Sequence, residues 1–379
     1  MKLTISRNDL NEAVQHVAKA VSARTTIPIL SGIKIETSEL GVTMTASDTD
    51  ISIQSFIPLE TADKRIVTIH RGGSVVLPAK FFVEIIRKLP NDEVHLEVGE
   101  RFQTQITSGS IDIELVGLDP EEFPVLPHLE EDRMFSIPGD LLKSMIRQTV
   151  FSVSTNESTP ILTGVLWSLQ DGVFKFVATD RHRLATCQIK SDAGDQLRFS
   201  NVVISGKTLN ELSKIIPDQN LLVDIVVADN QVLFKLGNVL FFSRMLDGTF
   251  PDTTKIIPTS FRTELILNTK ALSDAIDRAY LLSREEKTNI VRLSTTESGS
   301  VEISSSSSEL GRVQEQLEVA ELRGEQLRIA FNSKYMLDVL KVVDSEQLFI
   351  GFTGAMSPII IKPDHENSLH LILPYRTTN

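Results

Sequence analysis

The chain has 379 residues, enough for roughly two to four domains, and its 41% apolar and 23% charged content is that of a globular protein rather than a disordered one. No apolar run reaches the roughly 18 residues that cross a bilayer, and the opening MKLTISRNDL lacks the apolar core of a secretion signal, so we expect a cytoplasmic protein with no membrane partner. The net charge of −12, taken alone, argues against a nucleic-acid partner.

The first predicted element is a helix that recurs twice. The segments DLNEAVQHVAKAVS, DLLKSMIRQTVFSVS and ALSDAIDRAYLLS begin near Leu10, Leu141 and Leu272, each displaced by 131 positions from the one before. Apolar residues at i, i+3, i+4 and i+7 predict one buried face in each copy. In the first copy these are Leu10, Ala13, Val14 and Val17, and in the third Leu272, Ala275, Ile276 and Ala279. The middle copy has Ser144 and Gln148 on that face, which weakens its prediction.

Strands are predicted after each of these helices, because the segments are rich in β-branched and alternating apolar residues. They include ILSGIKIET from Ile29, ILTGVLWSL from Ile161 and IVRLSTTE from Ile290, and the alternating stretches VTMTASDTDISIQ and VFKFVATDRHRLATCQ. The serine run from Ser304 to Ser308 is predicted to be a flexible loop.

A second helix also recurs, displaced by 127 positions each time: PAKFFVEIIRKLPNDEV, SGKTLNELSKIIPDQN and NSKYMLDVLKVVDSEQ. Its predicted buried stripes are Phe82, Ile85 and Leu89, then Leu209, Leu212 and Ile216, then Met336, Val339 and Val343. Pro90 and Pro217 end the first two copies, and Ser205 and Asn332 can cap the later ones. The strands VHLEV, LLVDIVV and LFIGF follow.

Two segments that recur in the same order define a repeat of domain length, much longer than a solenoid unit. The stretches EEFPVLP and GTFPDTTKIIP end the first two copies, which predicts domains at 1–127, 128–254 and 255–379. Helices and strands do not alternate regularly, so we predict an α+β fold with two helices packed on sheets in each domain. A doubly wound parallel sheet would need more helices.

Basic residues recur at fixed places on these helices. The second helix carries Lys80, Lys207 and Lys334 and, seven residues later, Arg87, Lys214 and Lys341; the first carries His16, Arg147 and Arg278. On any one helix this is an ordinary solvated face. Threefold recurrence in an acidic chain instead predicts contacts with DNA phosphates that do not read sequence. Few aromatic residues interleave with them, which favours duplex over single-stranded DNA.

The most enzyme-like segment is ATDRHRLA, where Asp180 and His182 could form an acid–base pair. No nucleophile or metal-ligand set accompanies them, so we expect a polar turn between two strands. Phosphate-binding loops, dinucleotide fingerprints and nucleophile elbows are missing from the sequence. Cys187 is most simply a buried apolar residue. We predict a protein that is not an enzyme and needs no metal or cofactor.

The whole length of the chain resembles the bacterial replicative sliding clamps, the β subunits of DNA polymerase III. The resemblance is carried by TIPILSGI, TPILTGVLW, ATDRHRLA, DGTFPDTTKIIP, FNSKYMLDVL and LILPYR. It implies a head-to-tail homodimer whose six domains form a ring, with helices lining a hole that encloses double-stranded DNA. It also implies partner peptides from the replicative polymerase alpha subunit, the clamp loader and other proteins with a clamp-binding motif, bound between the second and third domains.

The resemblance also implies roles for particular residues. The dimer interface would contain Ile113, Leu115, Leu281 and Leu282. The DNA-contacting residues would include Arg24 and Asn156 besides the recurring basic residues. The peptide pocket would be formed by Leu162, Thr179, Arg181, His182, Arg183, Leu184, Pro251, Ile256, Asn332, Tyr335, Met356, Leu371, Leu373, Pro374, Tyr375 and Arg376.

Two features depart from the family. Arg181 stands where some members have glycine, and the chain continues past Arg376 through Thr377 to Thr378 and Asn379. Either change could alter which peptides bind. The alternative to a clamp is a monomeric peptide-binding scaffold that never encircles DNA, and a hydrolase built on Asp180 and His182 is a more distant one. The threefold basic pattern favours the clamp, because a scaffold has no need of it.

Overall fold

A computed structural model describes residues 1–22, 25–90, 92–127, 129–130, 134–191, 197–218, 221–285, 288–364 and 367–376. The chain packs into two compact units: unit 1 is Met1–Leu141 with Glu211–Met245, and unit 2 is Leu142–Asn210 with Leu246–Asn379. Over these ranges there are six α-helices: α1 Arg7–Val17, α2 Ala79–Lys88, α3 Gly139–Val150, α4 Gly206–Ile215, α5 Thr269–Glu285 and α6 Ser333–Leu340. Of the helices so described, none has the length and apolar character to cross a membrane.

Unit 1 contains two antiparallel sheets. Its strands are β1 Lys2–Ser6, β2 Gly32–Thr37, β3 Gly41–Ser47, β4 Ile51–Pro58, β5 Val67–Arg71, β6 Ser74–Pro78, β7 Glu93–Val98, β8 Gln103–Ser108, β9 Ile111–Val116, β10 Met134–Pro138, β15 Leu222–Val227, β16 Gln231–Leu236 and β17 Val239–Arg244. One sheet has the order β5-β1-β7-β8-β9 and the other β10-β15-β16-β17-β4-β3-β2-β6. Helix α1 packs on α2 and β4.

Unit 2 also contains two antiparallel sheets. Its strands are β11 Gly164–Gln170, β12 Val173–Thr179, β13 Arg183–Lys190, β14 Phe199–Ser205, β18 Thr263–Asn268, β19 Ile290–Thr295, β20 Val301–Ser307, β21 Gly311–Leu317, β22 Glu321–Gly324, β23 Arg328–Asn332, β24 Gln347–Phe352, β25 Ile359–Pro363 and β26 Ser368–Ile372. The orders are β14-β11-β12-β13-β26-β25-β24-β18-β22 and β21-β20-β19-β23. Helix α5 packs on α6, β20 and β21 around the largest core cluster.

The larger sheets run through the predicted domain boundaries. In unit 1, Phe241 of β17 lies opposite Ile53 of β4, and in unit 2, Leu184 of β13 lies opposite Leu371 of β26. Strands from the predicted middle domain therefore contribute to both units. The two units are defined by the strands that share a sheet, whereas the three predicted domains are defined by the sequence repeat. The exact boundaries of those domains stay a prediction.

The helices bury the predicted stripes, with two local differences. Helices α1 and α5 bury the residues named above, and so do α4 and α6, except that the buried Ile216 and Val343 lie just after the ends of these two helices. Helix α3 buries the predicted Met145 and Gln148, but it also buries Leu142, Ile146 and Thr149, whereas the predicted Leu141 and Ser144 are only half-buried. The buried face is therefore shifted toward Leu142 and Ile146 and away from the polar Ser144, as hydrophobic burial favours. In α2, Ile86 is fully buried and Ile85 only half-buried.

Two sequence predictions fail locally. The predicted strands near Ile29 and Ile161 begin as short 3-10 segments, Pro28–Ser31 and Pro160–Thr163, because proline fixes φ and starts a helical turn readily. The serine run is not a flexible loop: Ser304 to Ser307 form the end of β20 and pair with β21, Ser304 also pairs with β19, and Ser308 begins the following turn. Ser305 and Ser307 alternate into the interior, as strand geometry requires. Cys187 is buried as predicted.

Candidate functional site

The turn between β12 and β13 is shaped by the side chains of the ATDRHRLA segment. Asp180 Oδ1 accepts hydrogen bonds from the backbone N–H groups of His182 and Arg183, both at 2.9 Å. Thr179 Oγ1 donates to the Arg183 carbonyl at 2.7 Å and accepts from Arg181 N–H at 3.2 Å. The predicted polar turn is confirmed. The Asp180 carboxylate bonds to the backbone and to Arg183, so it is not arranged to orient the His182 imidazole as an acid–base partner.

Arg183 joins this turn to α6. Its Nε donates to Asp180 Oδ2 at 3.0 Å and its Nη1 to Asp338 Oδ2 at 2.7 Å. Its guanidinium also lies over the rings of Tyr335 and Phe151. Burial, followed by the nearby Asp180 carboxylate, raises the pKa of the Tyr335 phenol. Arg183 therefore holds the wall of the site together, and two of its donors are already occupied by carboxylates.

An open cleft of about 490 Å³ lies beside this turn, within unit 2. Six residues predicted for the peptide pocket line it: Leu162, Arg181, His182, Arg183, Asn332 and Tyr335. The His182 and Tyr335 rings are roughly parallel, with centroids 6.5 Å apart. Asn332 caps α6 by accepting from Lys334 N–H at 3.0 Å, as its position before the helix predicted. The cleft thus combines aromatic faces with polar anchors, which suits recognition of a peptide.

Other predicted pocket residues lie under or outside this cleft. Leu184 and Leu371 are buried with Leu162 and Phe250 in one apolar cluster. The segment after β26 is tied down by two backbone bonds, from Leu373 N–H to the His182 carbonyl at 2.8 Å and from Tyr375 N–H to the Ala330 carbonyl at 2.7 Å. Six further predicted pocket residues are solvent-exposed: Pro251, Ile256, Met356, Leu373, Tyr375 and Arg376. Pro374 is half-buried.

Sequence reasoning missed part of the cleft wall. The loop after α3 contributes Val153, Ser154 and Thr155, Thr159 comes directly before the following 3-10 segment, and Asn289 comes from the loop before β19. The proline after Thr159 signals that segment, but none of these residues stands in a motif that would reveal the cleft. Two residues predicted for DNA contact, Asn156 and Lys334, also line the cleft.

The recurring basic residues of the second helices are all exposed. Intrachain carboxylates nevertheless pair with some of them: Arg87 bonds to Glu84 at 2.6 Å and Lys214 to Glu211 at 2.7 Å. On the described parts of the chain, no carboxylate pairs with Lys80, Lys207 or Lys334, at the start of each helix. Among the described residues Lys341 is likewise exposed and without an ion pair, so these four lysines are the basic positions of the second helices most available to an external phosphate.

Two of the basic residues of the first helices, Arg147 and Arg278, are also paired. Arg147 pairs with Asp344, and Arg278 makes a two-bond pair with Glu315 whose N–O distances are 2.6 and 2.8 Å. The bond from Arg278 lowers the pKa of Glu315. His16 is partly buried, and Arg24 lies outside the described residues. A phosphate would have to compete with these carboxylates at Arg147 and Arg278.

The residues predicted for a dimer interface lie at two separate places. Ile113 and Leu115 are half-buried on β9, which is an edge strand of the five-stranded sheet. Leu281 and Leu282 lie in the last turns of α5, and Leu281 is 50% exposed. Helix α5 packs on β21, an edge strand of the four-stranded sheet. Each unit therefore has a sheet edge with apolar side chains nearby: on β9 itself in unit 1, and on α5, which packs on β21, in unit 2.

Within the described ranges, no group of three or more His, Cys, Asp or Glu side chains could hold a metal ion.

The chain matches three successive family models: the DNA polymerase III beta subunit N-terminal domain over residues 1–127, the central domain over 136–252 and the C-terminal domain over 254–376. The three-domain α+β prediction is confirmed at this level.

Relatives match the chain from end to end. It is 54% identical to the beta sliding clamp of Bacillus subtilis and 52% identical to that of Halalkalibacterium halodurans, with complete coverage of both chains in each case. Its fold is similar to the crystal structure of the DNA polymerase sliding clamp from Bacillus subtilis, with a TM-score of 0.97, 53% identity and complete coverage of both chains. It is also similar to the beta chain of DNA polymerase III from Streptococcus pneumoniae, with a TM-score of 0.95, 35% identity and coverage of 99% and 100%. The chain therefore belongs to the DNA polymerase III beta subunit family, the family of the bacterial beta sliding clamps.

Proposed function

We propose that two copies of this chain close head to tail into a ring around duplex DNA, which slides without reading sequence and tethers the replicative polymerase. Family membership makes the chain a processivity factor of DNA replication rather than an enzyme. The proposal adds the assembly, the residues that contact DNA and the partner site. A ring on the bacterial chromosome would work in the cytoplasm.

The observation that carries the assembly is the pair of sheet edges, β9 in unit 1 and β21 in unit 2. An edge strand has unpaired backbone groups that favour pairing with another chain. The apolar side chains of Ile113 and Leu115 accompany one edge, and Leu281 accompanies the other. Two different surfaces that join head to tail form a ring when the rotation closes. The domain I edge of one copy would meet the domain III edge of the next.

The helix-start lysines support the DNA-facing part of the proposal. Lys80, Lys207 and Lys334 would supply six unpaired cations to a dimer, in a chain whose net charge is −12. Such cations attract phosphates without sequence preference, and the acidic remainder discourages DNA from binding elsewhere. A clamp that slides needs this weak, uniform attraction rather than contacts to base edges.

The cleft in unit 2 supports the tethering part. We propose that it receives short segments of the polymerase alpha subunit, the clamp loader and other proteins with a clamp-binding motif, and that the exposed residues from Leu373 to Arg376 extend the same surface. Concave shape, aromatic walls and a few polar groups are the usual properties of such a site. A monomeric scaffold would share this cleft, so only the ring separates the two functions.

The decisive experiment loads the protein onto nicked circular DNA with a clamp loader and then linearises the circle. A closed ring slides off the ends, so retention on linear DNA should fall to background while retention on circles persists. Equal retention on both forms would refute the ring and favour the scaffold.

Light scattering tests the interface directly. The double variant Ile113→Asp with Leu281→Asp should have the mass of one chain at concentrations where the wild type has the mass of two, because it places a charge at each edge. Leu40→Asp is the control, since Leu40 is 75% exposed in a turn of unit 1. A monomeric wild type would contradict the assembly.

A further inference from the structure

Arg181 has an unusual backbone conformation at the rim of the cleft. Its φ is +76°, in the left-handed region that glycine adopts freely and that a side chain with a Cβ disfavours. The position lies in the turn after β12 and lines the cleft. Residues kept in disfavoured conformations often mark functional positions. Because glycine would adopt this conformation without strain, we infer that the Arg181 side chain has a function.

The Arg181 guanidinium is exposed and poorly neutralised. Its Nη2 donates to Thr159 Oγ1 at 3.1 Å, and Thr159 also lines the cleft. A hydroxyl is a neutral acceptor, so it leaves the positive charge uncompensated, and a guanidinium has five N–H donors to offer. In the part of the chain that the structure describes, no carboxylate pairs with Arg181.

The other charges around the cleft reinforce this one. Lys334 also lines the cleft without an ion-pair partner among the described residues. Asp180 is the only carboxylate among the described lining residues, and it is bound by Arg183 and by two backbone N–H groups. The cleft therefore has an excess of two positive charges in a chain of net charge −12. That excess is complementary to an acidic ligand.

We propose that Arg181 is a specificity-determining residue of the cleft and selects partner segments that carry a carboxylate beside their apolar anchor. The bond to the Thr159 hydroxyl orients the guanidinium at the cleft, and a ligand carboxylate would replace that bond with a charge-assisted one. The inference rests on the proposed peptide-binding function and adds the chemistry of the preferred peptide.

A peptide carboxylate fits the cleft better than a DNA phosphate does. The lining includes Leu162, Val153 and the Tyr335 ring, which offer apolar contacts that a duplex backbone does not use. A concave site of about 490 Å³ also suits side chains of a short segment rather than the convex surface of a double helix. Phosphate remains a distinct outcome of the test.

The test uses the full-length protein and overlapping peptides that cover the polymerase alpha subunit of the same organism. The tightest binder in fluorescence anisotropy is resynthesised with Asp, and separately with Asn, at each position. We expect at least one position where Asp binds the wild type about three- to tenfold more tightly than Asn. In Arg181→Gln, which keeps the backbone strain and removes the charge, that ratio should fall to about one. Arg181→Lys should restore part of it. Arg323→Gln, at an exposed arginine of β22, is the matched control and should leave the ratio unchanged.

The outcomes separate the two proposals. If none of the peptides binds the wild type, the proposed peptide-binding function fails and the inference fails with it. If peptides bind but the Asp-to-Asn ratio is about one everywhere, or survives in Arg181→Gln, the inference alone is wrong. If duplex DNA displaces the peptide from the wild type but not from Arg181→Gln, the arginine serves phosphate, which also overturns the inference.

Discussion

The guanidinium of Arg183 lies 4.5 Å from the centre of the Tyr335 ring, and its Nη1 donates to Asp338 at 2.7 Å. The first residue of β13 thereby fixes two residues of α6, one by a cation–π contact and one by an ion pair. His182 in turn lies parallel to Tyr335. The shape of the cleft wall therefore depends on a side chain that is itself only 11% exposed.

Replacing Arg183 by glutamine should destabilise the protein. Asp180 and Asp338, at 13% and 22% exposure, would lose their charged partner, and an unpaired carboxylate with little exposure is costly. We expect the free energy of unfolding to fall by about 2–4 kcal/mol, measured by urea denaturation. Arg284→Gln is the control, because its ion pair with Glu285 is solvent-exposed and should contribute less than about 1 kcal/mol. Equal losses in the two variants would mean that the Arg183 network does not stabilise the fold.

The backbone strain at Arg181 makes a separate prediction about stability. Arg181→Ile should lower the free energy of unfolding by about 1–2 kcal/mol, because a β-branched side chain is strongly disfavoured at positive φ. Arg181→Gly relieves the same strain and loses only the bond to Thr159, so its stability should be within about 1 kcal/mol of the wild type. Thermal unfolding monitored by circular dichroism checks both. A glycine variant less stable than the isoleucine variant would show that the conformation is not strained.

Periodicity predicted the helices and their buried faces well, because hydrophobic burial constrains sequence strongly. The exception is instructive. A constant displacement placed Leu141 and Ser144 on the buried face of α3, whereas the structure leaves both half-buried and buries Leu142 and Ile146 together with the expected Met145. A repeat found by letter similarity fixes register only to within a residue, and the choice between two faces of a helix is then made by the burial of larger apolar side chains.

The cleft was harder to predict than the fold. Residues of ATDRHRLA and of the α6 start could be assigned through the family resemblance, and six of the residues assigned in this way gather at one place. The loop that contributes Val153 to Thr155 has no helical or strand periodicity, so its approach to Asn289 and Tyr335 depends on tertiary packing. Ion pairs such as Arg278 with Glu315, 37 positions apart, were also invisible to a reading of charge along single helices.

The pairing of the basic residues predicts unequal contributions to DNA binding. Replacing Lys80 and Lys207 by glutamine should weaken association with linear duplex DNA and reduce the slope of log K against log salt by about 0.9 for each phosphate that is no longer neutralised. Replacing Arg87 and Lys214 should have a smaller effect, because Glu84 and Glu211 already offset their charge. Anisotropy titrations between about 50 and 200 mM salt measure both slopes. A larger change in the second variant would place the DNA on the other end of these helices.

A buried histidine predicts that the protein loses stability in mild acid. His370 on β26 is fully buried, and over the described residues neither ring nitrogen has a hydrogen-bond partner. Burial lowers the pKa of His370 from 6.5 to about 4. The unfolded chain therefore takes up this proton at a higher pH than the folded chain does. Stability should be fully present above pH 6.5 and decline by up to about 1.4 kcal/mol per pH unit as the pH falls toward 4.

The variant His370→Leu tests this by keeping an apolar side chain at the site without a proton acceptor. Urea midpoints measured from neutral pH down to about 5 should fall less steeply for the variant than for the wild type. The slope should not vanish, because burial also lowers the pKa of His16 in unit 1, which acts in the same direction. His95→Gln, at an exposed position on β7, is the control and should keep the wild-type slope. Parallel pH profiles for the wild type and His370→Leu would show that His370 is already able to accept a proton in the folded protein, either through a water molecule or through local opening of β26.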